Sequence, residues 1–401
     1  MRSPAQPGGS GPLGRWIGRI AVPERTIRGQ DGPAEGGATQ RKRGMMSITA
    51  HSRTAGDTGA KARLPMLVPS LAALLYPFAL KGFNATVTRI PDVGAGASAL
   101  SWLSAAVYLA LAFAVPLMAI LAAMSLSGIG RPTVAQLRAK RAALLAVAAP
   151  TLFTFVGVVL YMLHDPVPDT LLWVVCWAIV LALLLRSDNE APARVAARVV
   201  PVLLRVAHGA AALALVMIFL ALHIANHLMF PAGEGTYDVV MKMFRHVYRT
   251  DILQPLVVAL FLFQIGTGLF FVWRLTAAPS DRFRTFQIAS GVYLAFYVLG
   301  HMDSVFIFAR MYLGTDTGWS FATGAPTGLV KDPWNIRLVP HYWLGVFFVL
   351  AHLAAGARGV IMAHGVRKTF ADRFMIGGAV VGGIVATVIM LGMCGMRVQF
   401  I

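Results

Sequence analysis

Residues 200–230 read VPVLLRVAHGAAALALVMIFLALHIANHLMF, and this stretch decides the fold. It contains one formally charged side chain, Arg205, and is longer than the ~20 apolar residues that a helix needs to cross a bilayer. It also contains His208, His223 and His227. A polar side chain in hydrocarbon is costly and therefore usually faces the interior of a helix bundle. The stretch thus predicts a transmembrane helix whose histidines face neighbouring helices.

The same apolar character extends over most of the chain. Of 401 residues, 57% are hydrophobic and 13% are charged, whereas soluble domains carry about 25% charged residues. The first apolar run is short and contains Pro69 and Pro77. The fold class predicted is all-α, a polytopic transmembrane bundle of about nine helices. Their predicted ranges are 64–81, 100–127, 142–163, 169–186, 200–230, 252–275, 286–312, 339–362 and 374–396.

Polar segments divide the chain into three parts. Residues 1–63 form a basic tail that we expect to be disordered. The tail has no apolar core of a secretory signal, although a transit peptide and a start at Met45 or Met46 stay open as alternatives. Residues 64–190 form a four-helix membrane region, and residues 198–401 form a five-helix membrane domain.

Positive charge indicates the orientation. Lys and Arg concentrate in alternate linkers, which with nine spans lie on the same side as the basic tail. The positive-inside rule then places the N-terminus in the cytoplasm and the C-terminus outside a bacterial inner membrane. The net charge of +18 is interpreted as contact with anionic lipid head groups, because no nucleic-acid-binding module is recognisable.

Histidine is the best candidate for chemistry. The two cysteines, Cys176 and Cys394, cannot build a disulfide framework or a thiolate metal site. Eight of the ten histidines follow residue 198. Haem bound inside a bundle needs an axial histidine from each of two facing helices. The alternative is that each histidine only forms a hydrogen bond to another helix.

Several of these residues stand in recognisable motifs. Arg205-Val-Ala-His208 is followed by Leu222-His223-Ile-Ala-Asn226-His227, Gln287-Ile-Ala-Ser290-Gly291 precedes His301, and His352-Leu-Ala-Ala-Gly356 lies near the end of its helix. In these motifs the segment from about residue 203 to the end resembles the single-chain, five-helix cytochrome b subunit of succinate dehydrogenase and fumarate reductase. The four preceding helices resemble no family.

The resemblance implies haem b. Its outer haem would be held by His223 and His301. Its inner haem would need His352 and a histidine on the second helix of the domain, where this chain has Gln264 in Phe263-Gln264-Ile-Gly-Thr-Gly268. An amide nitrogen is a poor iron ligand because its lone pair is delocalised. One haem is therefore expected, and the second site is either empty or held by His352 alone.

Further roles follow from the same resemblance. Cations for the haem propionates would come from Arg245, Arg249 and Arg310. Candidate quinone contacts are His227, Asp303 and His341 toward the outside, or Arg205 and His208 at the cytoplasmic end. Because the sequence has no flavin or iron–sulfur motif, flavoprotein and iron–sulfur subunits would be its partners.

The function expected is electron transfer between quinone and a redox partner, as one subunit of an oxidoreductase complex rather than a complete enzyme. Two alternatives stay open. The first is a cofactor-free anchor or assembly protein of the same fold. The second is a transporter, although the spans show no obvious inverted repeat and contain few charges.

Overall fold

The structure is a computed structural model that describes residues 55–90, 98–186, 191–193 and 200–398. Seven of its helices are long and apolar enough to cross a membrane, or up to eight spans if one bent pair counts as a single span. The prediction of a transmembrane helical bundle is confirmed, but the count of nine is not. The α-helices are α1 (Ala55–Val87), α2 (Ala99–Ser127), α3 (Val134–Val147), α4 (Ala149–Met162), α5 (Asp169–Leu185), α6 (Val202–Leu215), α7 (Ala221–His227), α8 (Glu234–Tyr248), α9 (Leu253–Leu275), α10 (Arg282–Met302), α11 (Trp319–Thr323), α12 (Gly328–Lys331), α13 (Leu338–Ala363) and α14 (Lys368–Met393).

The first helix is longer than its predicted range of 64–81. It begins at Ala55 and continues through both Pro69 and Pro77 to Val87. Residues 55–63 are therefore helical, although the sequence predicts a disordered tail over residues 1–63. Residues 1–54 lie outside the described part of the chain. Each proline removes one backbone donor, yet both prolines are buried, and packing against other helices keeps the helix continuous.

The run predicted as one helix at 142–163 is a bent pair. Helices α3 and α4 meet at an angle of 65°. Pro150 lies in the first turn of α4, where a missing N–H is tolerated but cannot continue the hydrogen bonds of α3. Helix α5 has 17 residues, which is fewer than the ~20 of a typical span. The bent pair of α3 and α4, together with the short α5, accounts for the difference from the nine predicted spans.

An ion pair between the buried Arg337 and the half-buried Asp169 connects the N-terminal helices to the later ones. Arg337 Nη1 lies 2.7 Å from Asp169 Oδ2 on α5, and the guanidinium also lies over the ring of Phe153 on α4. Helix α10 packs against α2, α3 and α4. The N-terminal and the C-terminal membrane regions therefore pack against each other within the described part of the chain.

In the C-terminal region, α6 packs against α9, α9 against α10, α10 against α13, and α13 against α14. Two π-helical segments interrupt these helices. Val216–Leu220 separates α6 from α7, and Asp303–Tyr312 follows α10 directly. Such segments are frequent at functional sites. Here they lie beside His223 and His301.

The two long segments between the C-terminal membrane helices contain helices of their own. Residues 234–248 form the amphipathic α8, and residues 313–338 include α11 and α12. Ring contacts join these segments, because Tyr237 of α8 lies 5.5 Å from Trp319 of α11 between ring centroids. Helix α8 also packs against α7 and α9.

Candidate functional site

A cavity of about 210 Å³ lies among α7, α8, α9, α10 and α13. Its walls are mostly apolar and aromatic, with histidines on one side and arginines at one end. Typical ligand pockets measure about 300–1,000 Å³, so a large cofactor needs wall side chains to turn aside. Methionine is flexible enough to do this. The residues that bear on the argument are Phe219, His223, His227, Met241, Tyr297, His301, Met302, Tyr342 and Met393.

The imidazoles of His223 and His301 face this cavity from two helices. Their ring centroids are 6.0 Å apart and their planes are inclined by 68°. When two imidazoles bind one metal from opposite sides, each ligating nitrogen lies about 2 Å from the metal, and each ring centroid lies about 1 Å farther away. The two ring centroids are then about 6 Å apart. The observed separation therefore suits one metal shared by the two histidines.

Aromatic neighbours hold each of these two rings. His223 is stacked on Phe219, with ring centroids 4.8 Å apart, and His301 is stacked on Tyr297 with an interplanar angle of 9°. Each aromatic residue lies four positions before its histidine, which is the spacing of one helix face. Sequence reasoning missed Phe219 and Tyr297, although this spacing was a usable signal.

His227 competes for the ligating atom of His223. The Nε2 atoms of the two rings are 3.1 Å apart, so one of them donates and the other accepts. The Nδ1 of His227 is buried and has no hydrogen-bond partner among the described residues. Metal binding by His223 through Nε2 would break this bond and leave His227 available to another ligand.

Three arginines form the polar end of the cavity. Arg245, Arg249 and Arg310 all line it, and the lining includes no carboxylate among the described residues. Asp316 neutralises part of this charge, because its carboxylate accepts from Arg245 Nη1 at 2.9 Å and lies 3.7 Å from Arg249 Nη1. The cavity end keeps an excess of positive charge and suits a ligand with carboxylate groups.

The pKa shifts outside the spans are consistent with this charge distribution. Burial, followed by the charges of Arg245 and Arg310, lowers the pKa of Arg249 to about 10. Burial alone would raise the pKa of Asp316, but the hydrogen bond and charge of Arg245 outweigh it, and the pKa falls below its ordinary value. Crowded cations that lower one another's pKa favour an anionic ligand.

The outer quinone candidates lie near His301. His341 is 3% exposed, and its ring lies 4.7 Å from that of Tyr297. Asp303 follows His301 by two residues, and its Oδ2 is buried with no partner among the described residues. Of the three outer candidates only His227 lies on the cavity wall.

The inner candidates form a separate cluster. His208 Nδ1 lies 2.6 Å from Thr267 Oγ1 on α9, and His352 Nδ1 lies 2.9 Å from Ser290 Oγ on α10. Gln264 Nε2 donates to the backbone carbonyl of His208 at 2.7 Å. The exposed Arg205 lies one turn before His208. Neither Thr267 nor Ser290 was recognised as part of a site from the sequence.

In comparisons with known proteins, no family model, no curated protein and no solved structure matches this chain. The fold and the two histidine clusters define it as a helical, polytopic integral membrane protein with paired histidines in its C-terminal helices. Its resemblance to a cytochrome b subunit rests on the sequence motifs.

Proposed function

We propose that this chain is a haem b membrane protein that passes electrons between quinone and a redox partner. One observation carries the proposal. His223 and His301, on two different helices, present rings 6.0 Å apart to a cavity whose other end is lined by arginines. Haem b has an iron that takes two axial nitrogens and two carboxylates that prefer cations. The donor set and the charge distribution of the cavity fit both needs.

The role of each residue follows from its position. His223 and His301 would supply the axial nitrogens, while Arg245, Arg249 and Arg310 would bind the propionates. Bound haem would supply a one-electron carrier within the hydrocarbon core. Tyr297 and Phe219 hold the ligand rings by stacking. The apolar remainder of the wall would exclude water and so lower the dielectric around a bound iron.

Quinone chemistry needs proton carriers as well as electrons. His227 is the best placed of the candidates, because it lies on the cavity wall and its Nδ1 is buried without a partner among the described residues. Asp303 Oδ2 and His341 Nδ1 are likewise buried without a hydrogen-bond partner in the part of the chain that the structure describes. Flavoprotein and iron–sulfur subunits would deliver or remove the electrons, and the bacterial inner membrane, with the N-terminus in the cytoplasm, would be its location.

The test is a haem count on the full chain purified in detergent. We expect a haem b difference spectrum, dithionite-reduced minus oxidised, with a pyridine haemochrome assay to give haem per chain. His223→Ala and His301→Ala should each abolish the outer haem. His246→Ala is the matched control, because His246 is an exposed histidine of α8 outside the cavity wall, and this variant should retain full haem.

Two outcomes would contradict the proposal. A well-folded, haem-free protein expressed in cells with ample haem would favour the cofactor-free anchor of the same fold. Haem that persists at full occupancy in both His223→Ala and His301→Ala would show that this cavity is not its site. Transport of a solute by the haem-free protein in liposomes would favour the transporter.

A further inference from the structure

We propose that an exposed face of α9 binds one phospholipid molecule whose head group carries a phosphate and a primary ammonium, as in phosphatidylethanolamine. The site is an open groove of about 530 Å³ beside the histidine cavity. A single stretch of chain lines it, from the residue after α8 to the third turn of α9. We call it the α9 groove, and its residues are Arg249, Thr250, Asp251, Gln254, Pro255, Val258, Ala259 and Leu262. Lipid binding here does not depend on haem.

The α9 groove has a polar end and an apolar end. Arg249, Thr250 and Asp251 precede the membrane span Leu253–Leu275, whereas the apolar lining lies within that span. In a bilayer the head groups lie outside the hydrocarbon core, so the polar end of the groove lies at the level of the head groups and the apolar end at the level of the acyl chains. A phospholipid has the same order of groups along its own length.

The apolar end is a row on one face of α9. The row consists of Pro255, Val258, Ala259 and Leu262. Residues three, four and seven positions apart share a helix face, and the row is about 10 Å long at 1.5 Å per residue. Ala259 has the smallest side chain of the four and is exposed, so it leaves space for an acyl chain to lie against the helix.

Arg249 supplies the contact for a phosphate. Its side chain is 26% exposed, so a lipid can reach it from outside the bundle. Within the described part of the chain it donates one hydrogen bond, from Nη2 to Thr317 Oγ1 at 3.0 Å, and its Nη1 lies 3.7 Å from Asp316. A guanidinium has five N–H donors, so donors remain for the strong bonds that arginine forms with phosphate.

Asp251 decides which head group fits. This exposed carboxylate lines the polar end together with Arg249. Between them, Thr250 Oγ1 accepts from the backbone N–H of Leu253 at 3.0 Å and so fixes the turn into α9. A primary ammonium can donate to Asp251 while its phosphate binds Arg249. Choline has no N–H to donate, and the uncharged glycerol of phosphatidylglycerol leaves the phosphate charge facing the carboxylate without a cation between them.

The α9 groove and the histidine cavity share part of their walls. Arg249, Gln254 and Val258 line both. Gln254 Oε1 also accepts from Arg310 Nη1 at 3.4 Å, which links the groove to a second cation of the cavity. A lipid phosphate on Arg249 would therefore reduce the positive charge that acts on the cavity.

The test counts the lipid bound to the full chain by native mass spectrometry. The chain is purified in mild detergent, stripped of lipid and titrated with phosphatidylethanolamine, phosphatidylcholine or phosphatidylglycerol that carry the same acyl chains. We expect one tightly bound phosphatidylethanolamine per chain. Phosphatidylcholine should bind about two- to fivefold more weakly, which corresponds to the loss of one exposed ionic contact, and phosphatidylglycerol should also bind more weakly.

Three charge variants test the head-group contacts. Arg249→Gln should weaken the binding of all three lipids by about tenfold or more, because each loses hydrogen bonds between charged groups. Asp251→Asn should remove the preference for phosphatidylethanolamine over phosphatidylcholine. Lys242→Gln is the matched control, since Lys242 is an exposed cation of α8 that lines neither the groove nor the cavity, and it should bind lipid as the unmodified chain does.

A second pair of variants fills the groove without changing its charges. Ala259→Trp should abolish the tight site, whereas Leu256→Trp should retain it, because Leu256 is exposed on α9 but does not line the groove. Ala259 does not line the histidine cavity, so haem content should be equal in these two variants. A haem-free chain that still binds phosphatidylethanolamine through Arg249 would refute the proposed function alone.

Three outcomes would overturn the lipid site. Phosphatidylethanolamine binding that is unchanged in both Arg249→Gln and Ala259→Trp would show that the lipid lies elsewhere. Tighter binding of phosphatidylglycerol than of phosphatidylethanolamine would overturn the pairing of the head group with Asp251. A dimer that excludes lipid and is broken by Ala259→Trp would show that a second copy of the chain occupies the groove.

Discussion

Replacing Gly345 by alanine should displace the ring that supports His301. Gly345 lies on α13, where an added Cβ would overlap the ring carbons of Tyr297 and lie 2.7 Å from its Oη. Carbon contacts normally settle at about 3.5–4.0 Å, so the Tyr297 ring must move by about 1 Å. Because Tyr297 is stacked on His301 and lies 4.7 Å from His341, the imidazole of His301 moves with it.

The magnitude follows from the packing. Tyr297 packs against the rings of Tyr293, His301 and His341, and overpacking of this kind costs about 1–3 kcal/mol. One kcal/mol corresponds to roughly a fivefold change in an equilibrium, and three to more than a hundredfold. We therefore expect Gly345→Ala to lower the unfolding temperature in detergent and to weaken haem retention by about 5- to 150-fold.

The assay compares Gly345→Ala with Gly359→Ala on the same helix. A Cβ at Gly359 meets no atom within 4 Å, so this control adds the same methyl group without a collision. Thermal unfolding and haem content are measured for both. Equal unfolding temperatures and equal haem contents in the two variants would refute the reasoning, because they would mean that Tyr297 yields without disturbing His301.

Two further predictions concern ionic contacts. Asp169→Asn should destabilise the chain by about 3–5 kcal/mol, since it leaves Arg337 buried without its counter-ion, whereas Asp169→Asn combined with Arg337→Met should recover most of the loss in the same thermal assay. The pKa of Asp316 in the folded chain lies below its ordinary value of 3.8. The ion pair with Arg245 is therefore fully formed above pH 3.8 and is lost as the pH falls through the lower pKa of the folded state. Asp316→Asn should remove this acid-induced loss of stability, and because the carboxylate is largely exposed the loss should be under about 1 kcal/mol. If stability depends on pH in the same way with and without the substitution, the contact does not stabilise the fold.

The membrane character of the chain was predictable because burial in lipid needs only length and apolar composition. Residues 200–230 and 374–396 exceed the necessary length on composition alone. The shape of the first helices was not predictable in the same way. Pro69 and Pro77 favour a break that packing prevents, while Pro150 favours a bend that the structure does contain.

The candidate ligands were visible as histidines in apolar runs, and the motifs paired two of them. His223 and His301 were paired from the sequence, and their rings lie 6.0 Å apart. His208 was placed at a helix end as a quinone contact, because a one-dimensional pattern cannot show that its Nδ1 lies 2.6 Å from Thr267 Oγ1 on α9. The bond between His223 and His227 follows from their spacing of four residues, whereas its effect on ligation depends on the neighbouring α10.

The sequence by itself determined that this protein is a bundle of apolar helices with histidines concentrated in the C-terminal half. Both properties are local, since they depend on the composition of single runs. Only the tertiary structure decided where Arg245, Arg249 and Arg310 converge, and which hydroxyl group each of His208 and His352 contacts. These properties depend on hydrogen bonds and ring contacts between helices that are far apart in the chain, and such contacts form only when the helices pack.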